Sequence, residues 1–260
     1  MKPLSELRDA KSLRGLLFDI DDTLTTEGRL TAEAYAALER LRAARRLAIA
    51  VTGRPAGWCD HIARMWPVDA VVGENGAFYF RYAEGRLHKR YHDCAPERAA
   101  KRARLGAIAE HILREVPGCA LASDQAYRET DLAIDFCEDV PRLALEQAER
   151  IAALMRDAGL TAKISSIHVN GWFGAYDKLA MAQTLFAEGF GVDLGAANAQ
   201  YAFAGDSPND APMFGYFLNS VGVANVARFA GHLAAAPKYV TLRASRAGFA
   251  ELVAHLLGER

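Results

Sequence analysis

Residues 16–23, Leu16-Leu17-Phe18-Asp19-Ile20-Asp21-Asp22-Thr23, pass from uninterrupted hydrocarbon into a cluster of carboxylates. A short apolar run bounded by polar or turn-forming residues is the pattern of a strand buried on both faces, as in a parallel sheet. The same transition recurs twice. Leu47-Ala48-Ile49-Ala50-Val51 leads into Thr52-Gly53-Arg54, and Tyr201-Ala202-Phe203-Ala204 leads into Gly205-Asp206-Ser207-Pro208-Asn209-Asp210. Open α/β sheets bind their ligands beyond the carboxyl ends of their strands, so three polar islands at three strand ends are expected to share one crevice.

The segments between these runs read as alternating helices and strands. Residues 31–46 form an amphipathic pattern with Ala34, Leu38 and Leu41 on one stripe, which makes a βαβ unit of the first two strands. Pro55 suits a first helical turn, a helix follows over 57–65, Val68 to Val72 returns to the sheet, and Asn75-Gly76 reads as a hairpin turn before Ala77-Phe78-Tyr79-Phe80. From about residue 82 to 175 the texture changes. Long helices over 96–115 and 141–157 are mixed with alternating strands such as Asp131-Leu132-Ala133-Ile134-Asp135-Phe136, the signature of an α+β layer. After Lys178 the earlier rhythm resumes, with a helix to about Gly189, the Tyr201 strand, a helix over 211–217, a strand over 220–223 and a helix over 248–257. The expected class is α/β, with residues 1–81 and 176–260 building one parallel-sheet core and residues 82–175 inserted as a lid.

Composition narrows the partners. The 260 residues are 51% hydrophobic, enough for a sizeable core, and 31 Lys and Arg against 32 Asp and Glu give a net charge of −1. No block of like charge speaks for a nucleic-acid arm or a membrane patch, so anion recognition is expected to be local. Residues 1–15 are charged throughout, and no run approaches the roughly 20 apolar residues of a membrane span, so the expected setting is the cytoplasm. Cys59, Cys94, Cys119 and Cys137 are widely spaced and read as reduced thiols. His88, His92 and Cys94 have the types for zinc, but the segment alternates like an exposed strand, which puts both histidines on a wet face.

Slow phosphate-ester chemistry needs positioned charge, a metal and a covalent relay, and the islands hold the parts for all three. Asp19 is the candidate nucleophile, and Asp21, two residues on along an extended backbone, the candidate acid and base. Thr23 is placed to hold the turn that keeps the two carboxylates convergent. Asp19, the carbonyl of Asp21, and Asp206 are candidate ligands of Mg²⁺, with Asp210 one helical turn on to orient a bound water. Thr52, Gly53, Arg54 and Asn209 are candidate phosphate or substrate contacts, and Lys178 is a candidate for neutralising charge on the transferring group. A calcium loop over 19–30 is excluded because position six is Leu24 and position twelve is Leu30. No P-loop motif occurs.

With those residues in that order, the chain resembles the haloacid dehalogenase (HAD) superfamily, whose four motifs are met by Asp19/Asp21/Thr23, Thr52, Lys178 and Gly205-Asp206 with Asn209-Asp210. An insertion between the second and third motifs resembles the type-2 cap, and the Gly-Asp-x-x-Asn-Asp ending resembles subclass IIB, as does Glu74-Asn75-Gly76-Ala77. The resemblance implies a Rossmann-like parallel-sheet core with an inserted α+β cap, magnesium dependence, and a phosphatase acting on a small phosphorylated metabolite such as a sugar phosphate. It also implies two alternatives, a mutase resembling the phosphomannomutases and a phospho-ligand binding protein without turnover. The cap reads the leaving group in such enzymes, so Asn170 is a candidate contact to hydroxyls, while Trp172 and Tyr176 would either stack on a sugar ring or pack the hinge. Arg98, Lys101, Arg102 and Arg104 read as a solvated face of one cap helix.

Overall fold

The computed structural model describes residues 1–259. The chain begins with β1 (Lys2–Pro3), β2 (Gly15–Phe18), α1 (Ala32–Ala43), β3 (Leu47–Val51), α2 (Ala56–Met65), β4 (Ala70–Gly73), β5 (Phe78–Ala83) and β6 (Arg86–Tyr91). An insert follows, comprising α3 (Ala95–Glu115), β7 (Ala120–Leu121), β8 (Asp131–Asp135), α4 (Leu145–Asp157), β9 (Thr161–Ile164) and β10 (His168–Trp172). The chain then returns through α5 (Lys178–Phe190), β11 (Tyr201–Gly205), α6 (Ala211–Tyr216), β12 (Asn219–Gly222), β13 (Tyr239–Val240) and α7 (Ser245–Leu257).

The main sheet runs β1-β13-β12-β11-β2-β3-β4-β5-β6, parallel from β1 to β4 and antiparallel across its last two pairings. From β2 the chain steps outward to β3 and β4, then comes back on the other side through β11 and β12. The order therefore reverses between β2 and β11, the place where such sheets open a ligand crevice. Strand β2 is buried along its whole length. Alternate residues pack Phe18 with Leu38, Leu41 and Phe249 on one face and Leu17 with Leu185, Phe186 and Phe214 on the other. The stripe predicted for α1 is the buried one, and Thr31 caps the helix by accepting from the N–H of Ala34.

Two local expectations change. Asn75-Gly76 does not form a two-residue hairpin loop. β4 and β5 pair through Gly73 and Phe78, leaving a four-residue turn in which Glu74, Asn75 and Gly76 all have positive φ. A Cβ on Gly76 would sit 2.0 Å from the carbonyl oxygen of Asp177, so this turn abuts the start of α5 as closely as backbone allows. The main sheet also continues past residue 82, because Glu84 and Gly85, both left-handed, fold β6 back onto β5.

The insert holds a four-stranded antiparallel sheet, β7-β8-β10-β9. Leu132, Ile134 and Val169 pack with Ile112 of α3 and with Ile151 and Met155 of α4. The opposite phase of the same strands carries Asp131, Ala133 and Asp135, paired in register with Trp172, Asn170 and His168. Period-2 alternation thus leaves the insert one apolar face for its own helices and one mostly polar face.

Candidate active site

Asp19, Thr52 and Asp206 each follow directly on the last residue of β2, β3 and β11. Lys178 is the first residue of α5, whose N-cap Asp177 accepts from the N–H of Ala180 at 2.8 Å. A cation at a helix N-terminus opposes the helix dipole, so its placement there needs compensation nearby. Two carboxylates provide it: Lys178 Nζ lies 2.7 Å from Asp19 Oδ1 and 2.7 Å from Asp210 Oδ1, with the lysine only 1% exposed. The other oxygen of Asp210 accepts the backbone N–H groups of Asp206 and Ser207 at 3.0 and 3.2 Å. Asp206 accepts from Thr23 Oγ1 at 3.3 Å and from Asn225 Nδ2 at 3.0 Å.

Asp19, Asp206 and Asp210 each offer an oxygen within 4.8 Å of the others, and all three are buried. Against three carboxylates stands one ammonium, so full ionisation would leave two negative charges uncompensated. Burial, opposed by Lys178 and reinforced by Asp210 and Asp21, pushes Asp19 up to about 8. Burial and the carboxylates of Asp19 and Asp210 push Asp206 well above the usual range. One divalent cation would balance this charge, and an all-oxygen donor set suits Mg²⁺. Among the described residues no other group of three metal-capable side chains gathers so closely. The zinc candidates do not converge: His92 contacts Asp93 and lies against the Tyr176 ring, and Cys94 precedes α3.

Asp19 (φ −74°, ψ 158°) and Asp21 (φ −73°, ψ 126°) are both extended, as expected, but residues Ile20–Leu24 around them close one wide helical turn that is interrupted at Asp21 and at Asp22, the latter at φ 56°. Thr25 closes this turn, since its hydroxyl donates to Ile20 O and accepts from the Asp22 N–H, whereas Thr23 is spent on Asp206. The Asp21 carboxylate then meets Arg54, whose Nε lies 3.1 and 3.0 Å from its two oxygens and whose terminal nitrogen lies 2.8 Å from one of them.

Arg54 has no donor left over for a phosphate in this arrangement. It also binds Glu138 at 2.5 Å and Asp124 at 3.4 Å, both from the insert, and lies over the Trp58 ring. Glu138 in turn lies 2.9 Å from His168 Nε2. Although burial opposes it, the nearby His168 ring and the Arg54 guanidinium hold the Glu138 carboxyl down at about 2. Beside this cluster, Arg128 binds Asp124 and Asp131 at 3.0 Å and donates to the Gly53 carbonyl at 2.8 Å. Glu74, 0% exposed, accepts the N–H groups of Ala56 in the core and of Glu129 and Thr130 in the insert. The seam between insert and core is therefore ionic, and none of Asn75, Asp124, Arg128, Glu138, His168 or Asn225 was singled out as a site residue. Two of them had a signal: Asn75 lies in the Glu74-Asn75-Gly76-Ala77 stretch, and Asn225 is the polar residue just past the predicted strand over 220–223.

Thr52, Gly53 and Asn209 flank Asp19. The Thr52 hydroxyl accepts from the Arg54 N–H at 3.0 Å, which leaves its proton to donate. Asp19, Asp21, Gly53 and Asn209 line a cavity closed from the insert side by the 165–167 loop, His168 and Asn170. Its volume is about 10 Å³, room for about one water. Asn170 faces this cavity, with its amide donating to Asp131 at 2.9 Å. Trp172 and Tyr176 do not line it. Their rings stack 5.7 Å apart within the core cluster that includes Phe78 and Phe80, so they pack the hinge. On α3, Arg98 pairs with Glu129, Lys101 pairs with Asp93 and Arg104 lies over Phe173.

No model of a protein family and no curated protein matches this chain. Solved structures do. The sucrose-phosphatase of Synechocystis, in complex with sucrose and phosphate, is 16% identical, with 94% of this chain and 98% of that one covered and a TM-score of 0.65. The C-terminal domain of trehalose-6-phosphate phosphatase from C. albicans is 13% identical, with 97% and 96% covered and a TM-score of 0.68. A haloacid dehalogenase-like hydrolase from Bacteroides thetaiotaomicron is 13% identical, with 94% and 99% covered and a TM-score of 0.64. No helix among the described residues is long and apolar enough to cross a membrane. Strand order, insert and near-complete coverage together give this chain the fold of the haloacid dehalogenase-like hydrolases, with an inserted α+β cap.

Proposed function

We propose that this protein is a magnesium-dependent phosphatase of the cytoplasm that hydrolyses a small phosphorylated metabolite, a sugar phosphate, through an aspartyl-phosphate on Asp19. The observation that carries the reading is the Lys178 ammonium 2.7 Å from Asp19, beside Asp206 and Asp210, in a buried cluster two positive charges short of balance. The names of the sucrose and trehalose-phosphate enzymes sharing the fold support the substrate class.

Thr52, the Gly53 amide, Asn209 and Lys178 would hold the phosphoryl oxygens. Asp19 attacks phosphorus as the bond to the leaving oxygen breaks, and Asp21 gives that oxygen its proton. Asp21 then takes a proton from water, which attacks the aspartyl-phosphate, releases phosphate and regenerates Asp19. Asp19, the Asp21 carbonyl and Asp206 would hold Mg²⁺, with Asp210 supporting them; bound there, it supplies neutralisation of the phosphoryl oxygens. Arg54 bonds both oxygens of Asp21. Asp124 and Glu138 compete for that guanidinium, so the cap bears on the readiness of the acid.

The test is phosphate release from a panel of sugar, nucleotide, cofactor and glycerate phosphates with Mg²⁺. Release from sugar phosphates should vanish in EDTA and fall on the order of 10³-fold or more in Asp19→Asn. Undiminished turnover by that variant would refute Asp19 as nucleophile.

A further inference from the structure

Asn75 sits in the left-handed turn after β4, and only 2% of its surface is exposed. Its backbone N–H donates to the Thr52 carbonyl at 3.1 Å, and its Oδ1 accepts from Asn209 Nδ2 at 3.3 Å. A Cβ on Gly53 would lie 3.2 Å from Asn75 Nδ2. Asn75 thus meets Thr52 through its backbone and Asn209 through its side chain, which also lies beside Gly53, all three residues named above as phosphate contacts. Its own Nδ2, carrying two N–H donors, has no acceptor in the protein.

A buried donor without an acceptor costs about 1–3 kcal/mol, so its retention calls for a partner that arrives from outside. Gly53 and Asn209, the neighbours of this amide, both line the cavity in front of Asp19. Asn209 Oδ1 accepts from Ser207 Oγ at 2.7 Å while its Nδ2 donates to Asn75 Oδ1, so Asn75 Nδ2 is the amide atom turned away from Asn209. We infer that Asn75 is a phosphoryl-binding residue, its Nδ2 donating to an oxygen of the tetrahedral oxyanion held beside Asp19. The inference rests on the phosphatase reading and adds a neutral donor to the site. The turn is well suited to hold such a donor still. Asn tolerates the left-handed conformation at φ 54°, and the contact of Gly76 with Asp177 locks the turn against the helix that bears Lys178. A donor fixed before the oxyanion arrives needs no reorganisation when it binds.

Asn75→Asp keeps the shape and the tolerance for positive φ but replaces the donor with an acceptor. Orthovanadate binding with Mg²⁺, measured by calorimetry, should weaken about ten-fold or more in this variant. Binding within about two-fold of the wild type would overturn the inference and leave the turn as the residue's sole role. Should the variant fail to fold, the wild-type side-chain amide resonance of Asn75 decides: a shift on adding orthovanadate upholds the contact, and an unmoved resonance refutes it. Failure of the wild type itself to bind orthovanadate would instead overturn the phosphatase reading, and this inference with it.

Discussion

Lys178 and Asp19 show how far one buried side chain depends on the charge around it. Removing Lys178 leaves three carboxylates with no cation, and breaking a buried pair in this way costs about 3–5 kcal/mol. Lys178→Met should lose that much stability in metal-free buffer, read by urea unfolding, with part of it restored by Mg²⁺. Asp19→Asn acts in the opposite direction. A carboxyl held near 8 in the folded state keeps its proton there and loses it readily when unfolded, so its contribution to stability falls as pH rises from about 4 through 8. At pH 8 in EDTA the asparagine variant should therefore melt several degrees above the wild type, at about 2–4 °C per kcal/mol gained, while being inactive. A lower melting point would contradict the charge balance described for this cluster. Both side chains were legible in the sequence because each marks the end of a strand or the start of a helix, a boundary that local hydrophobicity reveals. Arg128 was not, because an isolated Arg gives no local hint of the groups it will face, and Asn75 was legible only as part of a turn and of the Glu74-Asn75-Gly76-Ala77 stretch, with no hint of its neighbours.

At the level of elements, the polar face of the cap sheet meets the strand ends of the core. Its members alternate with residues that feed the cap's own apolar layer, so one period-2 pattern serves both purposes. Glu138 is the cap's main hold on Arg54. Its carboxyl titrates near 2 when folded against an ordinary value near 4, so the stabilisation it provides is complete above about pH 4 and is lost as pH falls toward 2. Glu138→Gln should cost about 2–3 kcal/mol in urea unfolding at pH 7, and the gap should roughly halve by pH 3. The same change leaves Arg54 more fully on Asp21, so kcat should fall with KM nearly unchanged. Equal stability of the two proteins at pH 7 would show that the Arg54 cluster does not hold the cap.

For the molecule as a whole, the closed cavity is too small for any phosphate ester, given that ligand sites commonly span about 300–1,000 Å³. On the proposed phosphatase reading, cap and core part for substrate to enter. Gly57 on α2 and Tyr127 in the cap are adjacent, a Cβ on the glycine lying 3.0 Å from that of the tyrosine, so a shift of about 0.5 Å apart brings the pair to the span of a disulfide. Gly57→Cys with Tyr127→Cys should give a protein that is inactive when oxidised and active again in dithiothreitol. Full turnover by the oxidised form, with the bridge verified by mass, would mean that substrate enters without cap movement.

The amino-acid sequence by itself determined the fold class, the inserted cap, and the placement of Asp19, Thr52, Lys178, Asp206 and Asp210, because strand ends and helix starts are written in runs of a few neighbouring residues. Only the tertiary structure decided that Arg54 binds carboxylates in place of phosphate, that Trp172 and Tyr176 pack the hinge, and that an amide from the β4 turn is buried beside Gly53 and Asn209. Those outcomes depend on pairings between groups that lie far apart along the chain, such as Arg54 with Glu138. Pairings of that kind come from how sheets and helices stack, and no local pattern encodes them.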